Sequence, residues 1–437
     1  MKLALIGGGG FRTPLVYGAL LDRDVRIDDL VLYDVELARL LRISSVLEGL
    51  AAERGVAPAF RLTEDLDDAV EGADVVFCAI RVGGLEARVI DEVVPLAEGV
   101  LGQETVGPGG IAFALRTVPV MRSLAERVAE RAPKAWFVNF TNPAGLVVEA
   151  LQPILGTRAV GICDGPESLF RGVARALGRR REDLWFDYFG LNHLGWLRSV
   201  RDAEGDLLPE LLASDERLAS FPEGRIFGAD YLRAIGLIPM EYLWYFLHAD
   251  EAVAAHRAGG TRAELLLEQQ TAFYAGGDEV PAEALASWRA ALGERNATYM
   301  AEAGKPAAET GHDAVGYEDA ALDVLEAVTG TESTALVVNT TNRGSMPFLD
   351  DAAVVEVPCT VGPEGVSSLE VGAVPQFARE LIEEVKAAER LTIEAAVTRS
   401  EALAECALAA HPLVPSAETA RRILDGYRAS VQKNSHE

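Results

Sequence analysis

The sequence predicts an α/β chain built on a doubly wound parallel sheet, and three observations carry that expectation. Short, buried-looking strands alternate with helical stretches through the first 185 residues, a pattern that places helices on both faces of a parallel sheet. A glycine-rich turn follows the first strand directly. Polar residues then recur just past the ends of later strands, where sheets of this kind bind ligands.

Residues 2–6 form a short apolar strand, and Thr13-Pro14 starts a helix, since proline is tolerated in a first turn whose N–H groups have no partner. A second strand, 30–33, ends at Asp34. A third, 74–80, leads into Arg81-Val82-Gly83-Gly84. A fourth, 136–140, ends in Thr141-Asn142-Pro143, and a fifth, 159–162, ends at Cys163. Past residue 185 the pattern changes. Residues 187–193 read as a strand, long helical segments run to about 329, strands follow at 335–339 and 353–358, and a mostly helical tail closes the chain. The Ala/Glu/Arg-rich stretches near 120–132 and 379–410 read as amphipathic packing helices. The expected division is therefore 1–185 for the doubly wound unit and 186–437 for an α+β unit covering its ligand face.

The chain's 437 residues suffice for two or three cores. A formal charge of -27 argues against nucleic acid and against anionic membrane as partners. It leaves room for a small anionic substrate held by one or two arginines. Four cysteines (78, 163, 359 and 406) are too few for a disulfide framework, so a reduced, cytoplasmic protein is expected. Met1–Ile6 runs straight into the glycine turn, without the apolar length of a signal peptide. No uninterrupted apolar run approaches the roughly 18 residues of a spanning helix.

The turn Gly7-Gly8-Gly9-Gly10-Phe11-Arg12 lies after a strand and before a helix. Gly7-x-Gly9 there fits a dinucleotide fingerprint, with backbone N–H groups facing a pyrophosphate. Arg12 stands where the third glycine of that fingerprint would be. Asp34, ending the second strand, is placed to accept a ribose hydroxyl and so to favour NAD over NADP, although it lies further along than the usual ~20 residues. The plainer alternative is a glycine turn that only reverses the chain.

Cys163-Asp164 and Asn192-His193 form a second signal. A thiolate and an imidazole can hold a divalent cation while leaving coordination positions for substrate oxygens. Sugar oxygens would suit Mn²⁺, whereas the thiolate is a soft ligand for it, so the metal's identity stays open. The alternatives are a small buried cysteine and a hydrogen-bonded histidine. Few reactions place a redox cofactor and a divalent metal beside one substrate.

The chain resembles glycoside hydrolase family 4, the NAD-dependent and mostly Mn²⁺-dependent glycosidases, and among them most resembles the 6-phospho-β-glucosidases. The motifs are Ile6-Gly7-Gly8-Gly9-Gly10 with Thr13-Pro14, Arg81-Val82-Gly83-Gly84, the segment Gly102-Gln103-Glu104-Thr105-Val106-Gly107-Pro108-Gly109-Gly110, Thr141-Asn142-Pro143, Gly161-Ile162-Cys163-Asp164, Gly190-Leu191-Asn192-His193-Leu194-Gly195-Trp196 and Asn339-Thr340-Thr341-Asn342-Arg343-Gly344. The resemblance implies a Rossmann-like first domain of lactate/malate dehydrogenase type with a C-terminal α+β domain. It also implies Cys163 and His193 as metal ligands, Asp164 as proton donor, and Tyr242 as catalytic base with Tyr245 as fallback. Arg88, Asn142 and Arg262 match substrate contacts; on residue type alone both arginines read as solvated helix positions. After Cys163-Asp164 this chain departs from many relatives with Gly165-Pro166-Glu167-Ser168, adding an acid beside the site.

The resemblance implies a route outside two-carboxylate hydrolysis. Oxidation at C3 acidifies the C2 proton, a base removes it, the aglycone leaves, water adds, and C3 is reduced again. Substrates would be phosphorylated disaccharides or aryl glucosides, and a homodimer or homotetramer is expected. Three rivals stand beside it: a lactate/malate-type 2-hydroxy-acid dehydrogenase, a non-catalytic NAD-sensing protein, and the same mechanism on 6-phospho-α-glucosides, unphosphorylated glycosides or uronides.

Overall fold

Six parallel strands make the middle of the molecule in a computed structural model that describes residues 1–23, 25–276, 280–303 and 317–434. They are β1 (Lys2–Ile6), β2 (Asp29–Tyr33), β3 (Arg61–Thr63), β4 (Val75–Cys78), β5 (Trp136–Asn139) and β6 (Ala159–Gly161). Their spatial order is β3-β2-β1-β4-β5-β6, the doubly wound arrangement the sequence predicts. Side chains alternate between the two faces. Leu3 and Leu5 pack with Val16, Leu40 and Leu322 on one side; Ala4 and Ile6 pack with Met121, Leu124, Val147 and Leu151 on the other. The first helix, Thr13–Asp22, starts as expected, with Arg12 at its N-cap and Pro14 in its first turn.

Three strands, β7 (Trp185–Leu191), β8 (Leu194–Arg201) and β9 (Ile238–Pro239), form a separate antiparallel sheet. Three more, β10 (Thr334–Thr341), β11 (Val354–Gly362) and β12 (Gly365–Ser368), add antiparallel to the edge of β6. The second half of the chain thus lengthens the first half's sheet to nine strands.

The strand expected over 187–193 ends earlier. Leu191 pairs with Leu194, so Asn192 and His193 are a two-residue hairpin turn, and His193 takes a φ of 63° that a strand does not allow. β3, β8, β9 and β12 carry no expectation from sequence; β3, β9 and β12 are too short for an alternation to show. The tail helix expected near 379–410 is two helices, Gln376–Thr398 and Glu401–Ala410. They are separated where Arg399 turns left-handed and the Ser400 side chain caps the second. Among the described residues no helix is long and apolar enough to cross a membrane.

Candidate functional site

The glycine turn closes because three chain segments crowd it. Gly7 has a φ of 88°, and a Cβ there would sit 2.5 Å from the Ala79 carbonyl oxygen; one on Gly8 would sit 2.7 Å from Leu32 Cβ. The Gly7 and Gly8 N–H groups donate to the Tyr33 carbonyl at 2.9 and 2.7 Å. Asp34 accepts from the Gly9 N–H at 3.0 Å through Oδ2 and from Glu36 N–H through Oδ1. Its carboxylate therefore lies at the turn and fastens it. From the other side Tyr274 donates to the Gly9 carbonyl and Trp288 to the Phe11 carbonyl. The Phe11 ring is buried edge-on to Phe273, so only its backbone faces the turn. Arg12 reaches across to Asp164, 3.7 Å away, and brings the turn beside the second cluster.

Cys163 follows β6 and is buried. Its sulfur accepts from the Gly165 N–H at 3.4 Å, at the start of helix Gly165–Leu177. That helix end favours a thiolate. Burial and the charges of Glu356, Asp164 and Glu241 outweigh it and push the thiol well above its ordinary value. His193 is 5% exposed, and its Nδ1 shares a hydrogen with Thr105 Oγ1 at 2.9 Å. Burial lowers its pKa to about 4. The imidazole is therefore neutral near pH 7, the state in which it ligates metals, with Nε2 as the remaining donor. Asp164 and Glu241 act on both Cys163 and His193. Among the described residues no three His, Cys, Asp or Glu side chains converge as a ligand set. Cysteine and histidine are nonetheless residue types that can hold a divalent cation and leave positions for substrate oxygens, the cysteine losing its proton on binding.

Tyr242 stands in a single tight turn, Glu241–Leu243, just after β9. Its ring stacks on His193 with centroids 4.1 Å apart. Burial, then Glu104, raise the phenol above its ordinary value, Glu241 and Asp164 adding to the effect and a hydrogen bond with Tyr299 opposing it. Tyr245 is engaged elsewhere, donating to Glu302 at 2.6 Å. Arg88 is not a solvated position. It is 3% exposed and bound to Glu92 at 2.8 Å and Glu104 at 2.9 Å. Arg262 is half-buried; it donates to Thr298 Oγ1 and to the Arg295 carbonyl and lies over the Tyr299 ring. Asn142 follows β5, on a loop braced where Asn139 accepts from the Thr141 N–H. The Asn192 side chain accepts from the Ala144 N–H at 2.8 Å, tying that loop to the His193 hairpin.

Several residues at the site were not singled out from sequence. Glu104 pairs with both Arg81 and Arg88, which hold its carboxyl well below the usual range despite burial. Thr105 orients His193, and Glu241 and Glu356 supply charge. A signal existed for Glu356: an acid inside the apolar run Val354-Val355-Glu356-Val357 has to be hydrogen-bonded or paired. Glu167, by contrast, is held by Arg171 and Arg181, both at 3.0 Å.

Residues 2–179 match the model for family 4 glycosyl hydrolase, and residues 188–414 that for the family 4 glycosyl hydrolase C-terminal domain. A probable 6-phospho-beta-glucosidase of Bacillus subtilis is 32% identical over 97% of this chain and 95% of its own. The 6-phospho-beta glucosidase of Thermotoga maritima, solved with manganese, NAD⁺ and glucose-6-phosphate, superposes with a TM-score of 0.82 at 29% identity, covering 99% of each chain. A 6-phospho-alpha-glucosidase from gut microorganisms, solved with NAD and Mn²⁺, gives 0.84 at 28% identity, covering 99% of this chain and 98% of its own. Malate dehydrogenase of Plasmodium falciparum, at 0.54 and 15% identity over 91% of this chain and 99% of its own, shares the fold alone.

Proposed function

The chain belongs to glycosyl hydrolase family 4, and on that footing we propose that it hydrolyses 6-phospho-β-glucosides, using NAD and a divalent cation such as Mn²⁺. The substrates would be phosphorylated disaccharides or aryl glucosides. The carrying observation is one convergence of geometry. Arg12 of the glycine turn lies 3.7 Å from Asp164, the neighbour of Cys163, while His193 stacks on Tyr242 at 4.1 Å. Solved relatives that hold NAD and manganese or Mn²⁺ support the cofactor assignment.

Gly7, Gly8, Gly9, Gly10, the Phe11 backbone, Arg12 and Asp34 would hold NAD, and Cys163 and His193 the cation. When bound, these groups supply a reversible hydride acceptor for C3 and a Lewis acid for the sugar's C2 and C3 oxygens. Tyr242 takes the C2 proton. Its phenol is held high by burial and by carboxylates, and so acts as a base only beside positive charge. Stacking on His193 would set the phenol near a cation held by that imidazole. Asp164, half-exposed before the helix Gly165–Leu177, protonates the departing oxygen. Arg262 meets the phosphosugar, with Asn142 and Arg88 orienting the ring; Arg88 is neutralised by two carboxylates and so directs hydrogen bonds more than it supplies net charge. Glu167, spent on two arginines, leaves the leaving-group side to Asp164.

This route needs no anomer-specific carboxylate pair, and relatives named for both anomers lie at nearly the same identity. The β assignment rests on motif likeness. A division into 1–185, binding NAD, and 186–437, bearing substrate, metal and oligomer contacts, is supported by the family matches that end at 179 and resume at 188. A homodimer or homotetramer in the cytoplasm completes the proposal; four free cysteines, three of them buried, support a reducing compartment.

The test is hydrolysis of p-nitrophenyl 6-phospho-β- and 6-phospho-α-glucosides, with NAD⁺ and Mn²⁺ each omitted in turn. Cleavage of the β substrate that requires both is expected. Cleavage without either contradicts the mechanism, and preference for the α substrate contradicts the anomer alone.

A further inference from the structure

Glu356 is 1% exposed, in the interior strand β11, and its carboxylate accepts three side-chain hydrogen bonds. Asn339 of neighbouring β10 donates at 2.8 Å, Tyr188 of β7 at 3.1 Å, and Asn192 of the hairpin turn at 3.3 Å. All three donors are neutral, and among the described residues no cation pairs with Glu356. A buried anion costs several kcal/mol unless charge balances it, and neutral donors offset only part of that. Burial, with Asp164 adding to it, raises the Glu356 pKa to about 7 against the three hydrogen bonds that lower it, so a nearby cation would favour its charged form. Asp164 has Arg12 at 3.7 Å, whereas Glu356 lies behind the proposed metal ligands with hydrogen bonds from neutral groups alone among the described residues.

The bond to Asn192 matters as much as the charge. Asn192 immediately precedes His193, whose φ of 63° is a conformation that side-chain-bearing residues rarely adopt. Such a turn persists when its neighbours fix it. Asn192 is gripped from both sides, donating to Glu356 and accepting from the Ala144 N–H at 2.8 Å. The Thr105 hydroxyl holds the far nitrogen of the imidazole. The hairpin is therefore pinned through Asn192 to a carboxylate more than 160 residues away in the chain.

We propose that Glu356 is a positioning residue of the metal site: through Asn192 it sets the turn that presents His193 to a divalent cation, and it supplies buried negative charge for that cation to balance. This rests on the metal-site reading above. Groups behind metal ligands typically change metal affinity by 10- to 100-fold when removed.

The experiment is a Mn²⁺ titration of the full chain, without substrate, following loss of the free-ion electron paramagnetic resonance signal and the line shape of the bound ion. Two variants accompany the parent. Glu356→Gln keeps shape and removes charge; Asn192→Ala leaves the carboxylate and cuts its link to the hairpin. Glu356→Gln is expected to weaken Mn²⁺ binding about 10- to 100-fold, and Asn192→Ala about 10-fold with an altered bound-ion spectrum. Asn192→Ala binding as tightly as the parent, with the parent's spectrum, overturns the positioning role whatever Glu356→Gln does. If Glu356→Gln does not fold, Asn192→Ala decides alone. A parent that takes up no Mn²⁺ overturns the metal site itself and this role with it.

Discussion

The two ends of the site are built by opposite means. At the proposed nucleotide end the backbone does most of the work: glycines allow β1, β2 and β4 to crowd together, and the N–H groups of Gly7, Gly8, Gly9 and Gly10 are all bonded within the first 34 residues, which leaves none of these four facing a pyrophosphate as the fingerprint implied. At the metal end side chains do it. Glu104 and Thr105, neighbours in the Gly102–Gly110 segment, hold Arg88 and His193, and Glu356 of β11 holds Asn192. A backbone-built cradle tolerates change in its surroundings but not in its glycines. A pocket built from side chains is the reverse, because each buried polar group depends on a partner whose loss leaves it unsatisfied.

That contrast can be broken most sharply at Tyr242. Tyr242→Phe keeps the stacking on His193 and removes only the proton acceptor, so turnover should fall about 10²- to 10⁴-fold. Deuterium exchange at C2 of the substrate should vanish with it. An unchanged rate would reduce the metal end to scaffold. The next effect in size is on stability. Arg88→Ala removes the counterion of buried Glu92 and leaves Glu104 to Arg81 alone, and should cost about 3–5 kcal/mol in denaturant unfolding; a cost below 1 kcal/mol would show that Arg88 and Glu92 are not electrostatically coupled. Gly7→Ala should cost less, about 1–2 kcal/mol for the left-handed residue, plus the overlap with Ala79. Its signature is weakened NAD⁺ binding, read by fluorescence titration, with Mn²⁺ affinity retained. Loss of both affinities together would erase the distinction between the two ends.

The same contrast explains what could be read from the chain. The nucleotide end is local: strand, glycine turn, proline-started helix and Asp34 all fall within the first 34 residues, and a doubly wound parallel sheet follows from alternating strands and helices, although β3 and the strand order were not read from them. Cys163 and His193 stood out as a chemically odd pair. Their supports did not, because Glu104, Glu241 and Glu356 gain meaning only when β11, the Gly102–Gly110 segment and the turn after β9 meet in space. Arg88 shows the difference plainly. In sequence it is one basic residue on an amphipathic helix, and in the fold it is a buried ion between two carboxylates. The hairpin likewise hid inside a run that reads as one strand, since a turn containing asparagine and histidine lacks the usual glycine signal.

The most direct test of the central claim is an anomalous difference map at the manganese edge from crystals grown with Mn²⁺, NAD⁺ and glucose 6-phosphate. A single strong peak is expected within bonding distance of Cys163 Sγ and His193 Nε2, beside the nicotinamide and facing Tyr242. A peak that leaves either residue out, or none at full occupancy of NAD⁺ and sugar, would contradict it.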